Sequence, residues 1–82
     1  MPSVDLLRKF WNLLKSYDSI DHIQTITWYS KPHIWSQLRL MKAMGLIEEK
    51  FSDKKPRMKV YKLKPEYIIK DFEFFCSKFS EL

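Results

Sequence analysis

Between residues 54 and 59 the sequence Lys54-Lys55-Pro56-Arg57-Met58-Lys59 sets four cations within six positions, with Pro56 stiffening the segment that presents them. Closely spaced ammonium and guanidinium groups suit phosphate oxygens, because neutralising a phosphate backbone releases its condensed counterions. A second group lies earlier in the chain, where Lys31, His33, Trp35, Ser36, Gln37 and Arg39 fall within nine positions. A guanidinium can meet the O6 and N7 of guanine, a carboxamide can pair with adenine, and a hydroxyl can meet either a base edge or a phosphate. Lys31, at the start of the group, is suited to phosphate. The chemistry on offer is non-covalent recognition of a polyanion. Enzyme chemistry finds no such support: there is no glycine loop to cradle phosphate, no histidine pair at metal spacing, and no nucleophile beside a base.

Charge is distributed in the same sense. The stretch from Lys31 to Lys64 holds ten basic residues against Glu48, Glu49 and Asp53, a balance of +7, whereas the chain as a whole carries +5. The flanks are therefore slightly acidic, and the positive field is concentrated in the middle, where it can steer an anionic partner. Eighty-two residues, 45% of them apolar and 16% aromatic, suit one domain over 1–82. Cys76 is the only cysteine, which excludes an internal disulfide and fits a reducing compartment, so cytoplasmic localisation is expected. Neither a secretory leader nor a membrane span is expected, since no long apolar run is present. Cys76 with the separated His22 and His33 cannot supply a closed metal site, and no metal or other cofactor is expected.

The elements that must position these residues follow from periodicity. Leu6, Phe10, Leu13 and Tyr17 recur at helical spacing, with Ser3 as N-cap and Asp5 in the first turn, which predicts a helix over 4–17. Ser19 can cap a second helix over 20–27. Ser30 can cap a third, with Pro32 in its first turn, Ile34, Leu38 and Met41 inward, and Gly45 as a left-handed terminus. A rotation of about 100° per residue then sets Pro32, Trp35, Ser36 and Arg39 outward, with His33 and Gln37 at the margins. Beyond Gly45 the period becomes extended. Residues 46–51 and 57–63 read as a β-hairpin with a basic tip, in which Tyr61 and Leu63 share a strand face, while Met58 and Val60 fall on the other. Pro65 opens a last helix over about 66–81, where Ile68, Phe72, Phe75, Phe79 and Leu82 repeat at helical spacing.

The order helix, helix, helix, strand, strand, helix describes a mainly α chain with a small β-hairpin. It contains a helix-turn-helix over about 20–45 and a wing over about 46–64. Within it, Ile34, Leu38, Met41, Met44-Gly45-Leu46-Ile47 and Tyr61-Lys62-Leu63 follow the recurring pattern of the ArsR and MarR types. About half of the chain thus resembles the winged-helix transcription regulators. The resemblance implies the winged helix-turn-helix fold and binding to double-stranded DNA, with the helix over 31–44 in the major groove. Lys54, Lys55, Arg57 and Lys59 would then lie on neighbouring phosphates.

The terminal helices carry more apolar residues than a small core needs. A homodimer joined through Phe10, Phe72, Phe75 and Phe79 is expected, which would set two recognition helices roughly 34 Å apart. Cys76, beside Phe75, reads as a small buried apolar residue. Two other functions fit the same sequence. The winged helix can serve protein contacts, with its lysines providing solubility, or Trp28, Tyr29 and Trp35 can stack on unpaired RNA bases.

Overall fold

The structure is a computed structural model that describes residues 3–81. Helix α1, Val4–Leu13, begins where the Ser3 hydroxyl accepts the Leu6 N–H at 3.2 Å, and it turns Leu6, Leu7 and Phe10 inward. It ends before the expected Tyr17 because the following backbone is taken up by the sheet. The Leu14 carbonyl accepts the Leu63 N–H at 2.8 Å, and Asp18 exchanges two backbone hydrogen bonds with Tyr61 at 2.9 and 2.8 Å. Asp18 also organises the next helix. Its Oδ1 accepts the Ser19 N–H at 2.9 Å and lies 2.7 Å from His22 Nδ1.

Helix α2, Ile20–Thr27, is capped by Ser19, and helix α3, Lys31–Ala43, by Ser30, as their sequences predict. The short connection between them contains Trp28 at φ 65°, a left-handed conformation in a residue with a large Cβ substituent. The C-terminus of α3 closes with two characteristic bonds, Gly45 N–H to the Lys42 carbonyl at 3.0 Å and Leu46 N–H to the Met41 carbonyl at 2.9 Å. This arrangement satisfies carbonyls that a helix end would leave unpaired, and it requires the positive φ of 76° that Gly45 adopts.

Strands β1, Ile47–Phe51, and β2, Lys59–Leu63, pair antiparallel with Ile47 opposite Leu63 and Phe51 opposite Lys59. The hairpin forms within the expected stretch, its second strand beginning at Lys59, two residues after the expected start at 57. Tyr61 and Leu63 are buried on one strand face and Val60 is half-buried on the other, while Met58 belongs to the tip, where its N–H donates to the Lys55 carbonyl at 2.8 Å.

The C-terminal region differs from the single helix expected over 66–81. It forms α4, Pro65–Ile69, then α5, Phe72–Ser77, then a 3-10 turn over Phe79–Glu81. The break arises at Lys70 and Asp71, whose ψ angles of 167° and 175° are extended, and the Asp71 carboxylate starts α5 by accepting the Phe74 N–H at 2.9 Å. Leu82 lies outside the described residues.

The core joins Leu6, Leu7, Phe10 and Leu14 to Ile23, Ile34, Leu38, Met41, Leu46, Leu63, Tyr67, Phe75 and Phe79. Burying each large side chain contributes about 1.5–3 kcal/mol. Phe10, Phe75 and Phe79, expected between two copies, are core residues of this protomer. Phe10 and Phe75 have no exposed surface and Phe79 only 3%, whereas Val4 of α1 and Ile69 of α4 remain exposed. Phe75 meets Phe79 edge-on at 5.4 Å, and the half-buried Phe72 lies 5.6 Å from Trp11 with the Arg8 guanidinium 4.2 Å over its ring. Trp11 Nε1 donates to the Tyr67 carbonyl at 2.9 Å, which ties α1 to α4. Cys76 is half-buried, and that burial pushes its thiol above the ordinary value.

Candidate nucleic-acid interface

Helix α3 turns as its spacing predicts: Ile34, Leu38 and Met41 are buried, while Lys31, Pro32, His33, Trp35, Ser36 and Arg39 are exposed. Gln37 is half-buried at the margin, and its Oε1 is buried without a hydrogen-bond partner. His33 packs its ring 5.1 Å from Tyr29, so it helps fix the entry of the helix. Trp35 is half-exposed, with the Arg39 guanidinium 5.2 Å from its ring centre. That contact holds the guanidinium near the indole on the outer face of α3.

The cations divide into two groups by their partners, a division that sequence reasoning missed. Lys31 is held 2.6 Å from Asp21 of α2, Lys42 pairs with Glu49, Lys50 lies 3.6 Å from Asp53, and Lys59 lies 3.8 Å from Glu49. Opposite charge holds the Asp21 carboxyl below its ordinary value through the Lys31 hydrogen bond. Lys42 does the same for Glu49, against an opposing effect of burial, with help from Lys59. By contrast Arg39, Lys54, Lys55 and Arg57 form no ion pair among the described residues and are exposed, Lys55 acting only at longer range to help hold down the Asp21 carboxyl. The tip that carries three of them is shaped by Ser52, whose hydroxyl accepts the N–H groups of Lys54 and Lys55 at 3.2 and 3.3 Å.

The exposed face of α3 and the hairpin do not lie flush. Between them is a cleft of about 170 Å³ lined by Trp35, Leu38, Arg39, Lys42, Glu49, Lys59 and Tyr61. A shallower apolar hollow lies on the other side of Trp35, against Ile20 and Pro32. Trp28, in the helix-turn-helix connection, is 90% exposed. Among the described residues there is no group of three metal-ligating side chains and no helix long and apolar enough to cross a membrane.

No family model and no curated protein matches the sequence. Solved structures do match in shape. A substituted form of S. aureus MepR superposes with a TM-score of 0.70 at 22% identity, covering 95% of this chain and 56% of its own. S. aureus MepR in its DNA-binding conformation superposes at 0.66 with the same identity and coverage. The heme sensor PefR from Streptococcus agalactiae, in complex with heme, superposes at 0.61 with 21% identity, covering 94% of this chain and 54% of its own. The chain has the winged-helix fold of these proteins and spans a little over half their length.

Proposed function

We propose that this winged helix binds double-stranded DNA as a transcription regulator, with α3 in the major groove and the hairpin on adjacent phosphates. The observation that carries this reading is the set of exposed cations outside any ion pair, Arg39 on α3 and Lys54, Lys55 and Arg57 at the hairpin tip. A lysine already paired loses an ion pair when it takes a phosphate, whereas these four bind phosphate with no such loss. The fold shared with a MepR structure in a DNA-binding conformation supports the same assignment.

On this reading Arg39 and Ser36 face base edges with Gln37 at their margin, Trp35 packs beside Arg39, and Lys31 and His33 sit at the helix entry. Lys54, Lys55 and Arg57 hold the backbone, with Lys59 of the same hairpin beside them but engaged by Glu49. The protein works in the cytoplasm as a homodimer, with two α3 helices roughly 34 Å apart on successive grooves. Among the four phenylalanines expected at the interface, Phe72 is the one with surface left for a second copy.

Selection of duplexes from a random pool at physiological salt tests this. An enriched palindrome is expected, and log affinity should fall against log salt with a slope of roughly −4 to −5 for four to six neutralised phosphates. Replacing Lys54, Lys55 and Arg57 by alanine should flatten that slope by about 0.9 per cation. A salt-independent complex would overturn the reading.

The large exposure of Trp28 favours a second reading, a module for protein contacts. It predicts negligible duplex binding both before and after the triple substitution. Preference for single-stranded RNA over duplex DNA in competition would point instead to stacking on Trp28, Tyr29 and Trp35.

A further inference from the structure

We propose that the cleft between α3 and the hairpin is a seat for one DNA backbone phosphate, and that Glu49 fills it in the free protein and thereby limits duplex affinity. The inference rests on the DNA-binding reading and adds to it a residue that opposes binding.

Three observations lead there. The first is placement. Arg39 and Trp35 come from the outer face of α3 and Lys59 from β2, so the cleft lies between the two surfaces assigned to DNA. A bulk water molecule takes about 30 Å³, so a cleft of about 170 Å³ has room for a tetrahedral oxyanion.

The second is charge. Arg39, Lys42 and Lys59 line the cleft from two elements, and Glu49 is the one carboxylate among its lining residues. Glu49 takes both lysines, Lys42 in a direct hydrogen bond and Lys59 at 3.8 Å. Its oxygens therefore occupy the position that a phosphate oxygen needs. The neighbouring Glu48 plays no part, because it lies on the opposite strand face, where it accepts the Tyr17 hydroxyl at 3.2 Å.

The third is the misfit of Glu49 with its own strand. Alternation along β1 gives Ile47, Glu49 and Phe51 one face, paired across the sheet with Leu63, Tyr61 and Lys59. A carboxylate on an otherwise largely apolar face, with its side chain only 23% exposed, breaks the local pattern that would favour an apolar residue. Such local conflicts concentrate where a fold serves function. Here the conflict neutralises two lysines that would otherwise add to the phosphate surface.

The mechanism is electrostatic competition. A duplex phosphate entering the cleft must displace the Glu49 carboxylate from Lys42 and Lys59, and it meets like charge until it does. Glutamine keeps the size of the side chain, removes the charge and leaves both lysines for phosphate. With one further phosphate neutralised, the salt slope should steepen by roughly 0.9, and affinity near 0.15 M salt should rise by about fivefold.

The test compares duplex binding across a salt series for the native chain, Glu49→Gln, Lys42→Met and the double variant, each checked for folding by thermal unfolding. Lys42→Met should change affinity little in the native background and weaken it severalfold in the Glu49→Gln background. Unchanged or weaker binding by a folded Glu49→Gln variant overturns the inference, as does a Lys42→Met loss that is equal in the two backgrounds. If Glu49→Gln fails to fold, Lys59→Met in the native chain decides: a loss as large as that from Lys54→Ala overturns the inference, and a negligible loss supports it. Absence of duplex binding by the native chain overturns the proposed function, and this inference with it.

Discussion

Trp28 and Gly45 share one backbone conformation: φ is 65° at Trp28 and 76° at Gly45, and these are the two positive values among the described residues. Each stands just after a helix of the helix-turn-helix pair, so the angle between α2 and α3 and the exit into the hairpin both depend on left-handed residues. Glycine takes this conformation at no steric cost, whereas an L-residue with a side chain is disfavoured by roughly 1–2 kcal/mol.

Trp28→Gly should therefore stabilise the fold. Little burial is lost from a side chain that is 90% exposed, and the relief of strain exceeds the extra chain entropy of glycine, roughly 0.5–1 kcal/mol. The expected gain is about 0.5–1 kcal/mol, a rise of several degrees in Tm. Gly45→Ala should cost about 1 kcal/mol on conformational grounds alone, since its Cβ would meet only Lys64 Nζ at 3.9 Å. Thermal unfolding of both variants checks the pair, and a lower Tm for Trp28→Gly would refute the account.

Phe75→Ala should remove about 3–5 kcal/mol of stability, because the ring is wholly buried among Tyr67, Phe72 and Phe79 and its loss leaves a cavity. Denaturant unfolding measures the loss. Its midpoint should fall equally at low and high protein concentration, because the ring packs inside one protomer. A concentration-dependent loss would return Phe75 to an interface.

Acid should weaken the ion pairs that Asp21 and Glu49 make with lysines in a defined direction. Asp21 and Glu49 have lowered folded values, so their contribution is present above the ordinary carboxylate range near pH 4 and is lost as pH falls through the lowered values. Asp21→Asn should lower Tm slightly at pH 7, and the difference from the native chain should shrink towards zero in stronger acid. The effect is small because both partners are exposed. A difference that grew on acidification would reverse the assignment.

Alkylation of Cys76 at pH 8 should run slower than that of an unstructured thiol, since burial raises its thiol and reduces the thiolate fraction. The rate of iodoacetamide labelling measures this. It should recover the value of a free thiol when the chain is unfolded, and equal rates in both states would exclude the protection.

Much of this architecture was legible because it follows from short-range rules. Ser3, Ser19 and Ser30 are hydrogen-bond acceptors placed just before apolar periodicity, and each caps a helix. Gly45 ends α3 as a lone glycine should, and the inner and outer faces of that helix follow from 3.6 residues per turn. What stayed hidden is set by partners distant in sequence. Nothing local marks Asp18 as a partner of Tyr61, or Glu49 as the acceptor for both Lys42 and Lys59. The break at Lys70 and Asp71 was masked for another reason: Phe72, Phe75 and Phe79 keep a helical rhythm across two short helices and a turn. Asp71 three residues before Phe74 carried the signal for a new N-cap.

The backbone bridge from Asp18 to Tyr61, with the Leu14 carbonyl on Leu63, bears on where the chain can be cut. A fragment beginning at Ser19 would contain both helices of the helix-turn-helix and the whole hairpin. It would nevertheless leave the outer edge of β2 bare, with unpaired amide and carbonyl groups open to strands of other molecules. The segment joining α1 to α2 is thus a seam as well as a linker, and a fragment that keeps this edge covered must retain Leu14 to Asp18.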